Sequence, residues 1–342
     1  MRNVVATAPG QLSLAQSATP ALAPGRVICQ VAYLGMGGVD LRLSHAYSTY
    51  LTRGQKTYPF LLGHEWSGVI VEAAADVDQA LVGRNVAGHS FITCGRCAAC
   101  SSNRQENCEN HSEMGILGGN PGAASNYVLV PASELPPIPA EISLRTAALI
   151  EAVLTALHAR TRVGATATDR IGVLVTGTLG LAVALVARAL GSSVIVPGVG
   201  NCGRDRALRL GADNAVEPAE LERNAFDVVV EAPGSPDGVR RTADVVAPGG
   251  GIGLVGVPNI AVDDIAVADL AMKNARVEAV LSGIHRWDRI VRLVVTPPSI
   301  SWHWSIGSIR STSSGTRTKR WRNQSGPGRR SSWRYTCMRR SD

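Results

Sequence analysis

Aromatic residues and long apolar runs are scarce in this chain of 342 residues. Phe, Tyr and Trp make up 4% of the sequence, whereas the hydrophobic residues together make up 45%. Such a composition is typical of α/β proteins, and the length suits two domains. No apolar run reaches the roughly 18 residues of a membrane span. The N-terminal "MRNVVATAPG" has no signal-peptide pattern and predicts a strand. We therefore expect a cytoplasmic protein without a membrane partner.

Acidic residues are nearly missing from the last part of the chain. Residues 296–342 contain ten Lys or Arg residues and a single acid, Asp342, and they account for the net charge of +7. Residues 1–295 therefore carry a slightly negative net charge. This body has no sign of a nucleic-acid surface, so we expect no nucleic-acid partner.

The same tail, residues 296–342, is rich in Ser, Arg and Trp and follows neither a helix nor a strand pattern. One interpretation is a disordered basic extension, although such tails rarely contain Trp. We favour a frameshift near residues 296–300. Codons permitted for "SWHWSIGSIRSTSSG", read two bases along, can spell L-A-L-V-D-R-E-Y-P-L-D-E-F-G. The tail would then replace a segment that returns to complete the first domain.

Cysteine is concentrated in one short segment, "CGRCAACSSNRQENC", with the spacing C-x2-C-x2-C-x7-C. Two-residue gaps allow one loop to wrap a tetrahedral ion, and four thiolates leave no open position for a substrate. A structural zinc in a lobe of about residues 94–108 is therefore predicted. An iron–sulfur cluster is the alternative. The four predicted ligands are Cys94, Cys97, Cys100 and Cys108.

The pattern of apolar residues changes near Ser143. Before it, short β-branched runs such as "RVICQVAYLG" predict a mostly β domain, residues 1–150, with the character of a partly open barrel. After it, "SLRTAALIEAVLTALHART" predicts a helix capped by Ser143. Strands and helices then alternate, which requires a parallel sheet. We assign residues 151–288 to this doubly wound domain, in which "DGVRRTADVVAPGG" predicts a helix and "GIGLVGVP" a strand.

A glycine turn follows the first strand of the second domain. A dinucleotide fold needs G-x-G-x-x-G there, so that the backbone can approach the pyrophosphate at a helix N-terminus. This sequence has an incomplete version, and an ordinary strand-to-helix turn is the alternative. The flanking strand and helix favour nucleotide binding. The predicted cofactor-binding residues are Gly177, Thr178, Leu179 and Gly180.

The strand that follows this turn and its helix lacks an acid at its end. An acid there would hold the ribose hydroxyls of NAD, but the strand ends in Pro197-Gly198. Arg204 lies nearby and could face a 2′-phosphate. Both NAD and NADP therefore stay open on the residues alone.

Two acids and a histidine are candidates for a metal site. His64 and Glu65 stand together in "LLGHEWSG", and Glu151 lies inside the apolar helix pattern "ALIEAVL". Buried carboxylates are rare unless they are paired or bind a metal. The alternatives are a histidine in a surface turn and a salt bridge between Glu151 and an arginine.

Together these features resemble the medium-chain zinc-containing dehydrogenases, the family of sorbitol, threonine and alcohol dehydrogenases. The resemblance covers roughly residues 1–295. It rests on Gly63-His64-Glu65, the cysteine lobe, Glu151 in "AALIEAVLTALHA" and "FDVVVEAPGSP…PGGGIGLVG". It implies a GroES-like catalytic domain joined to a Rossmann domain. Members are usually dimers or tetramers, so a homo-oligomer is expected.

A narrower resemblance lies in "YPFLLGHEWSGVIV", "LVGRNVAG" and "CGRCAAC". These segments are similar to dehydrogenases of aminoglycoside antibiotic biosynthesis, of the 2-deoxy-scyllo-inosamine dehydrogenase type. Those enzymes oxidise a ring secondary alcohol to a ketone. The implied substrate is a cyclitol, a polyol, an aminosugar or an aminoglycoside intermediate.

The family implies hydride transfer from an alcohol to nicotinamide, with NAD favoured by resemblance. A catalytic zinc would polarise the alcohol oxygen, and the alkoxide would pass a hydride to the cofactor. By resemblance His64 and Glu151 are zinc ligands, Glu65 lies in or near the coordination shell, and Asp40 orients His64.

The sequence departs from the family at two positions. The pattern G-x-C-G-[ST]-D matches residues 35–40, where the ligand cysteine is Gly37 and the proton-relay hydroxyl is Val39. Three interpretations stay open: water fills the vacant zinc position, the zinc is absent, or the letters are wrong. Two other functions follow from these losses. One is a zinc-independent reductase of the same fold, and the other is a catalytically impaired nucleotide-binding protein.

Overall fold

A computed structural model describes residues 1–135, 138–174, 177–198 and 200–295, together with the backbone of residues 309–310. The predicted frameshifted tail lies outside the described residues, apart from that short backbone segment. Within the described part of the chain, no helix is long and apolar enough to cross a membrane.

The first part of the chain consists mainly of antiparallel strands. Its strands are β1 (Arg2–Ala8), β2 (Gln11–Gln16), β3 (Arg26–Gly35), β4 (Phe60–Leu61), β5 (Glu65–Ala73), β6 (Asn85–Gly88), β7 (Phe91–Ile92), β8 (Ser112–Glu113) and β9 (Tyr127–Pro131). Its helices are α1 (Gly38–Ser44), α2 (Thr49–Thr52) and α3 (Ala98–Ser101). Strand β3 pairs with both β5 and β9, and β5 pairs with β6. Strands β2, β1 and β4 form a second sheet, and β7 pairs with β8.

The second part of the chain alternates strands and helices. Its strands are β10 (Arg170–Leu174), β11 (Ser193–Pro197), β12 (Asn214–Val216), β13 (Phe226–Glu231), β14 (Val246–Leu254) and β15 (Arg276–Ala279). Its helices are α4 (Leu144–Ala147), α5 (Ile150–Arg162), α6 (Thr178–Ala189), α7 (Asn201–Arg209), α8 (Pro236–Val245), α9 (Val267–Met272) and α10 (Trp287–Val295). Within the described residues, six parallel strands form one sheet in the order β12-β11-β10-β13-β14-β15.

This strand order is that of a Rossmann fold, and it reverses at β10. The residues of β10 after Arg170 are buried, and Ile171 and Val173 share one apolar core with residues of α5 and α6. Helix α6 is apolar over most of its length and ends before Gly191, whose φ of +89° closes it. The predicted α/β fold class, a mostly β domain joined to a doubly wound parallel sheet, matches this architecture.

The predicted domain boundaries at residues 150 and 288 stay predictions. The core of the parallel sheet includes Ile138 and Ile142, which precede the first boundary. The short strand β16 (Ile309–Arg310) pairs with Tyr33–Leu34 of β3, so its backbone lies on the first part of the fold.

The structure corrects two predicted helices. The helix predicted over residues 143–161 is two helices, because Leu149 donates its N–H to Thr146 three residues back and the turn tightens there. Ser143 does cap the first one, with its Oγ accepting from Thr146 N. The helix predicted over residues 237–250 ends at Val245. Pro248 has no N–H to donate, and Gly249 has a φ of +75°, so this segment continues as β14.

A substitution in β10 tests the packing of the parallel sheet. A Cβ at Gly172 would lie 2.6 Å from Cδ2 of Phe226, whose ring is buried. Because ring or strand must shift, Gly172→Ala should lower the free energy of unfolding by about 1–3 kcal/mol. Urea denaturation would measure the loss. Gly119→Ala is the control, since a Cβ there meets no described atom within 4 Å. Equal stability of the two variants would contradict the prediction.

Candidate active site and metal centres

The carboxylate of Asp40 organises the first candidate site. Asp40 lies in the first turn of α1 and is fully buried. Its Oδ2 accepts a hydrogen bond from Gly37 N at 3.1 Å, and its Oδ1 accepts one from Gly63 N at 3.1 Å. Oδ2 also lies 3.1 Å from Nδ1 of His64. One carboxylate therefore fixes the start of α1, the turn before β5 and the imidazole that follows it.

Glycine is required in the turn before His64. Gly63 has a φ of +97°, which L side chains rarely adopt. A Cβ there would also lie 2.6 Å from Cδ1 of Leu34 and 3.0 Å from the backbone N of Ala124. The sequence Gly63-His64-Glu65 is thus a tight turn into β5 that directs the imidazole toward Asp40.

Three predicted ligands come together in this site. Atoms offered by His64, Glu65 and Glu151 all lie within 4.8 Å of one another. His64 Nε2 is 3.7 Å from Glu65 Oε1, and Ser90 Oγ donates to Glu151 Oε1 at 3.5 Å. These side chains come from the turn into β5 and from the first turn of α5, nearly ninety residues further along the chain.

The electrostatics of this cluster fit a divalent cation. Burial lowers the pKa of His64, but the charges of Asp40, Glu65 and Glu151 raise it more, to about 10. Burial raises the pKa of Glu65 to about 8 and also raises the pKa of Glu151. Glu65 Oε2 is buried and has no hydrogen-bond partner among the described residues. A metal ion would neutralise these carboxylates and give that oxygen a partner.

The space beside Gly37 is filled by Glu65. Gly37 is the residue before α1, and a Cβ built there would lie 2.6 Å from Glu65 Oε1 and 3.6 Å from Cε1 of His64. A Cβ at Gly35 would lie 2.5 Å from Glu65 Oε2. The glutamate carboxylate therefore lies against both glycines. Val39, at the predicted relay position, packs against the apolar core of the first part of the fold.

The four cysteines of the predicted lobe also come together. Their sulfurs lie within 4.8 Å of one another, with Sγ–Sγ distances of 3.6 Å for Cys97–Cys100 and Cys94–Cys108 and 4.0 Å for Cys94–Cys100. Ligands about 2.3 Å from a tetrahedral zinc are separated by about 3.8 Å, so the spacing fits this ion.

Backbone groups in the lobe favour thiolate. The N–H groups of Arg96 and Cys97 lower the pKa of Cys94 to about 6, and the N–H of Cys100 lowers the pKa of Cys97. Burial instead raises the pKa of Cys108 to about 11. A bound cation would be needed to keep Cys108 ionised near neutral pH.

The candidate nucleotide site lies at the carboxyl end of β10, where the strand order reverses. Helix α6 begins at Thr178. Its N-cap residue is Gly177, which has no side chain to cap the first N–H groups of the helix. A Cβ at Gly177 would meet no described atom within 4 Å. Leu179 is partly buried, and Gly180 is buried. Because no side chain caps this helix among the described residues, its first N–H groups are available to an anion.

Arg204 lies near the carboxyl end of β11, where it pairs with an acid, Glu217. Its guanidinium donates to the carbonyl oxygen of Gly198 at 3.1 Å, to Asn201 Oδ1 at 2.5 Å and to Glu217 Oε1. Glu217 directly follows β12, so the parallel sheet brings it beside the end of β11. The sequence alone predicts no acid near Arg204, because the acid expected there would end β11, whereas Glu217 follows β12.

A second buried acid, Glu113, was missed by sequence reasoning. Glu113 in β8 is 4% exposed, and its Oε1 accepts from Tyr50 OH at 3.3 Å and lies 3.9 Å from His111 Nε2. Burial raises the pKa of Glu113, and His64 and Glu151 also influence it electrostatically. It therefore lies within electrostatic reach of the candidate metal cluster. No spacing in "NHSEMGILGG" would have indicated it.

Two side chains connect the first part of the fold to the parallel sheet. Arg42 of α1 donates to the carbonyl oxygen of Pro233 at 2.7 Å, and Thr49 donates to that of Pro258 at 2.6 Å. Both acceptors follow the carboxyl ends of strands β13 and β14. The helix that carries Asp40 is therefore tied directly to the edge of the sheet where a nucleotide would bind.

Comparison with known proteins identifies the family. Residues 23–140 match the alcohol dehydrogenase GroES-like domain, and residues 178–296 match the zinc-binding dehydrogenase domain. L-threonine 3-dehydrogenase of Saccharopolyspora erythraea is 30% identical over 272 residues, which span 75% of this chain and 77% of that protein. The chain belongs to the medium-chain, zinc-dependent alcohol dehydrogenase family. The predicted oxidoreductase of alcohol dehydrogenase type is thereby confirmed.

Solved structures agree with the GroES-like and Rossmann architecture of this dehydrogenase. A zinc-binding dehydrogenase from Sinorhizobium meliloti 1021, bound to NADP, superposes with a TM-score of 0.77 at 27% identity and covers 86% of this chain and 87% of that one. Galactitol-1-phosphate dehydrogenase from Escherichia coli gives a TM-score of 0.78 at 22% identity, with 86% and 88% covered. The second likeness bears on the fold alone.

The buried cluster makes the stability of the metal-free dehydrogenase depend on pH. The folded-state pKa values of Glu65 and His64, about 8 and about 10, lie above their ordinary values of 4.5 and 6.5. The folded chain therefore binds more protons, and the stability from these groups is lost as pH rises from about 4.5 to about 10. Glu65→Gln should flatten the decline below about pH 8. Urea denaturation with a chelator across this window would measure it.

The control for this prediction is Glu72→Gln, which removes an exposed glutamate from the same strand, β5. It should keep the wild-type pH profile. An identical profile for Glu65→Gln and the wild type would contradict the burial of a titrating Glu65.

A charge at residue 177 tests the nucleotide site. Gly177→Asp places a carboxylate where a pyrophosphate would bind, so we expect affinity for NADH to fall about tenfold or more. Aspartate is at least as good an N-cap as glycine and should stabilise α6 by about a few tenths of a kcal/mol, so loss of folding cannot explain the result. Gly177→Ala, which adds only a methyl group into open space, is the control. Fluorescence titration with NADH and thermal denaturation would separate binding from stability; equal affinity in both variants would exclude this site.

Proposed function

We propose that this dehydrogenase oxidises a secondary alcohol of a cyclitol, polyol, aminosugar or aminoglycoside intermediate to a ketone, with NAD as the hydride acceptor. The observation that carries this proposal is the convergence of His64, Glu65 and Glu151 in one buried cluster beside the parallel sheet. The fold alone would be compatible with reductases that need no metal. Such a reductase has no need of one imidazole and two carboxylates buried together, whereas a divalent ion would balance the charge of both carboxylates.

The residues of the cluster have separate roles in this proposal. The metal, when bound, supplies a Lewis acid that lowers the pKa of the alcohol. Asp40 faces Nδ1 of His64 at 3.1 Å, which favours the tautomer with Nε2 available for coordination. Glu65 and Glu151 supply the carboxylates, and Ser90 orients Glu151. The four-cysteine lobe would hold a second zinc that stabilises its loop.

The proposed cofactor residues bind the nucleotide and direct it toward the cluster. Residues Gly177, Thr178, Leu179 and Gly180 would hold the pyrophosphate at the start of α6, where no described side chain caps the backbone N–H groups. NAD is favoured over NADP because Glu217 pairs with Arg204 and would repel a 2′-phosphate. Arg204 would then orient Glu217 near the adenosine ribose.

The substrate class rests on the sequence resemblance and on one buried acid. The relative from Saccharopolyspora erythraea is named for L-threonine, an amino acid with a secondary hydroxyl beside its amine-bearing carbon. Glu113 is a buried carboxylate within electrostatic reach of His64, and a carboxylate can recognise an ammonium group near the reacting hydroxyl. An aminosugar or aminocyclitol would have the same combination of amine and secondary alcohol.

A second candidate function is favoured by two substitutions. Gly37 removes the family's ligand thiolate, and Val39 removes its relay hydroxyl. A nucleotide-binding protein with impaired catalysis would be compatible with both. It would bind NADH at Gly177 but would turn over no alcohol. A homo-oligomer, as dimer or tetramer, is expected for either function by resemblance to the family.

The proposed function does not depend on the tail, residues 296–342, because we propose that the reading frame of the gene is lost there. The match to the zinc-binding dehydrogenase domain runs to residue 296, which supports a loss of reading frame near residues 296–300. Resequencing of this region and of codon 37 is the direct check. A gene with an intact frame and a glycine codon at residue 37 would make both departures real features of the protein.

The proposed function is tested by measuring reduction of NAD or NADP with L-threonine, polyols, cyclitols and aminocyclitols. Turnover of an aminocyclitol or polyol is the expected result. Glu151→Gln should lower kcat/KM roughly 10- to 100-fold, whereas the exposed Glu72→Gln on β5 should not change it. Binding of NADH without turnover of any alcohol would favour the impaired protein instead.

A further inference from the structure

A side chain at residue 37 would point toward the candidate metal ligands His64 and Glu65. Gly37 N donates to Asp40 at 3.1 Å, which fixes the backbone at this position. A Cβ built on that backbone would lie 2.6 Å from Glu65 Oε1, 3.5 Å from its Cδ and 3.6 Å from Cε1 of His64. Any side chain at residue 37 would therefore compete with the Glu65 carboxylate for one volume.

A second glycine leaves room for the rest of the glutamate. Gly35 pairs with Glu65 across strands β3 and β5, and a Cβ there would lie 2.5 Å from Glu65 Oε2 and 2.9 Å from its Cβ. Both oxygens of Glu65 thus lie over positions without side chains. Its Oε2 is buried and has no hydrogen-bond partner in the described part of the chain.

We propose that the Glu65 carboxylate takes the coordination position that a side chain at residue 37 would occupy, so that His64, Glu65 and Glu151 hold the metal without a thiolate. This inference rests on the proposed function, because it assumes a metal in this cluster. It differs from a site completed by water and from a site without metal. The absence of a cysteine then changes the ligand set rather than abolishing the site.

The ligand set determines which ions bind. Two carboxylates balance the charge of a divalent ion, and one imidazole completes a set of nitrogen and oxygen donors. Sites of this kind accept harder ions such as Mn²⁺, whereas thiolates select softer ones. The cluster should therefore bind Mn²⁺ as well as Zn²⁺. The four-cysteine lobe should keep its zinc and ignore Mn²⁺, so the two sites can be distinguished in one protein.

The experiment is a Mn²⁺ titration of the full chain. A mild chelator first removes every bound metal ion except the zinc of the four-cysteine lobe. The signal of free aqueous Mn²⁺ in electron paramagnetic resonance reports binding without any assay of activity. One Mn²⁺ per chain is expected. Gly37→Ala should raise the Kd for Mn²⁺ about tenfold or more, because its methyl group displaces the Glu65 carboxylate. Gly38→Ala is the control, since a Cβ there meets no described atom within 4 Å.

Two further variants keep the proposal testable if Gly37→Ala does not fold. Glu65→Gln keeps the size of the side chain and should also weaken Mn²⁺ binding about tenfold or more. Gly37→Cys should lose Mn²⁺ binding but add a thiolate-to-Co²⁺ absorption band beyond that of the lobe. Wild-type protein that binds a second Zn²⁺ but no Mn²⁺ would overturn the inference. So would Glu65→Gln or folded Gly37→Ala with wild-type affinity for Mn²⁺.

Failure of the inference and failure of the proposed function give different results. Mn²⁺ binding that depends on Glu65, without turnover of any alcohol, would keep the inference and exclude the dehydrogenase activity. Alcohol oxidation by a chain that binds no Mn²⁺ and is insensitive to Gly37→Ala would keep the activity and exclude the role of Glu65.

Discussion

The candidate active site depends on one carboxylate that has three partners. Asp40 accepts hydrogen bonds from Gly37 and Gly63 and faces His64, all at 3.1 Å. A neutral residue of the same shape could not satisfy two N–H donors and an imidazole together. Helix α1, the turn before β5 and the orientation of His64 are therefore coupled. Because Arg42 on the same helix reaches Pro233, the coupling extends to the edge of the parallel sheet.

Much of the fold follows from local patterns, whereas the site depends on long-range register. Alternating apolar strands and helices are enough to predict a parallel sheet, and the cysteine spacing is enough to predict which sulfurs meet, since both signals lie within short segments. The helix break at Leu149 and the early start of β14 depend on one tightened turn and on Pro248-Gly249. The joining of Glu151 to His64 was inferred only by resemblance to a family.

The contacts that sequence reasoning missed have a common cause. Glu217 meets Arg204, and Glu113 meets Tyr50, because neighbouring strands or loops bring distant residues to one place. Neither acid belongs to a motif, so no spacing identifies it. The relation between Gly37 and Glu65 is of the same kind. It depends on the pairing of Gly35 with Glu65 across β3 and β5, which a linear pattern does not contain.

The two departures from the family pattern have different structural consequences. At residue 37 the lost side chain leaves a volume that a charged neighbour already fills, so the cluster keeps three candidate ligands. At residue 39 the valine packs against the apolar core, and its side chain carries no hydroxyl. The candidate metal ligands and the position of the proton relay are thus separate features of this chain. A chain that binds the metal but removes the proton of the alcohol slowly would still form its complex with the alcohol. Deprotonation of the alcohol would then limit turnover, and the turnover rate would rise with pH.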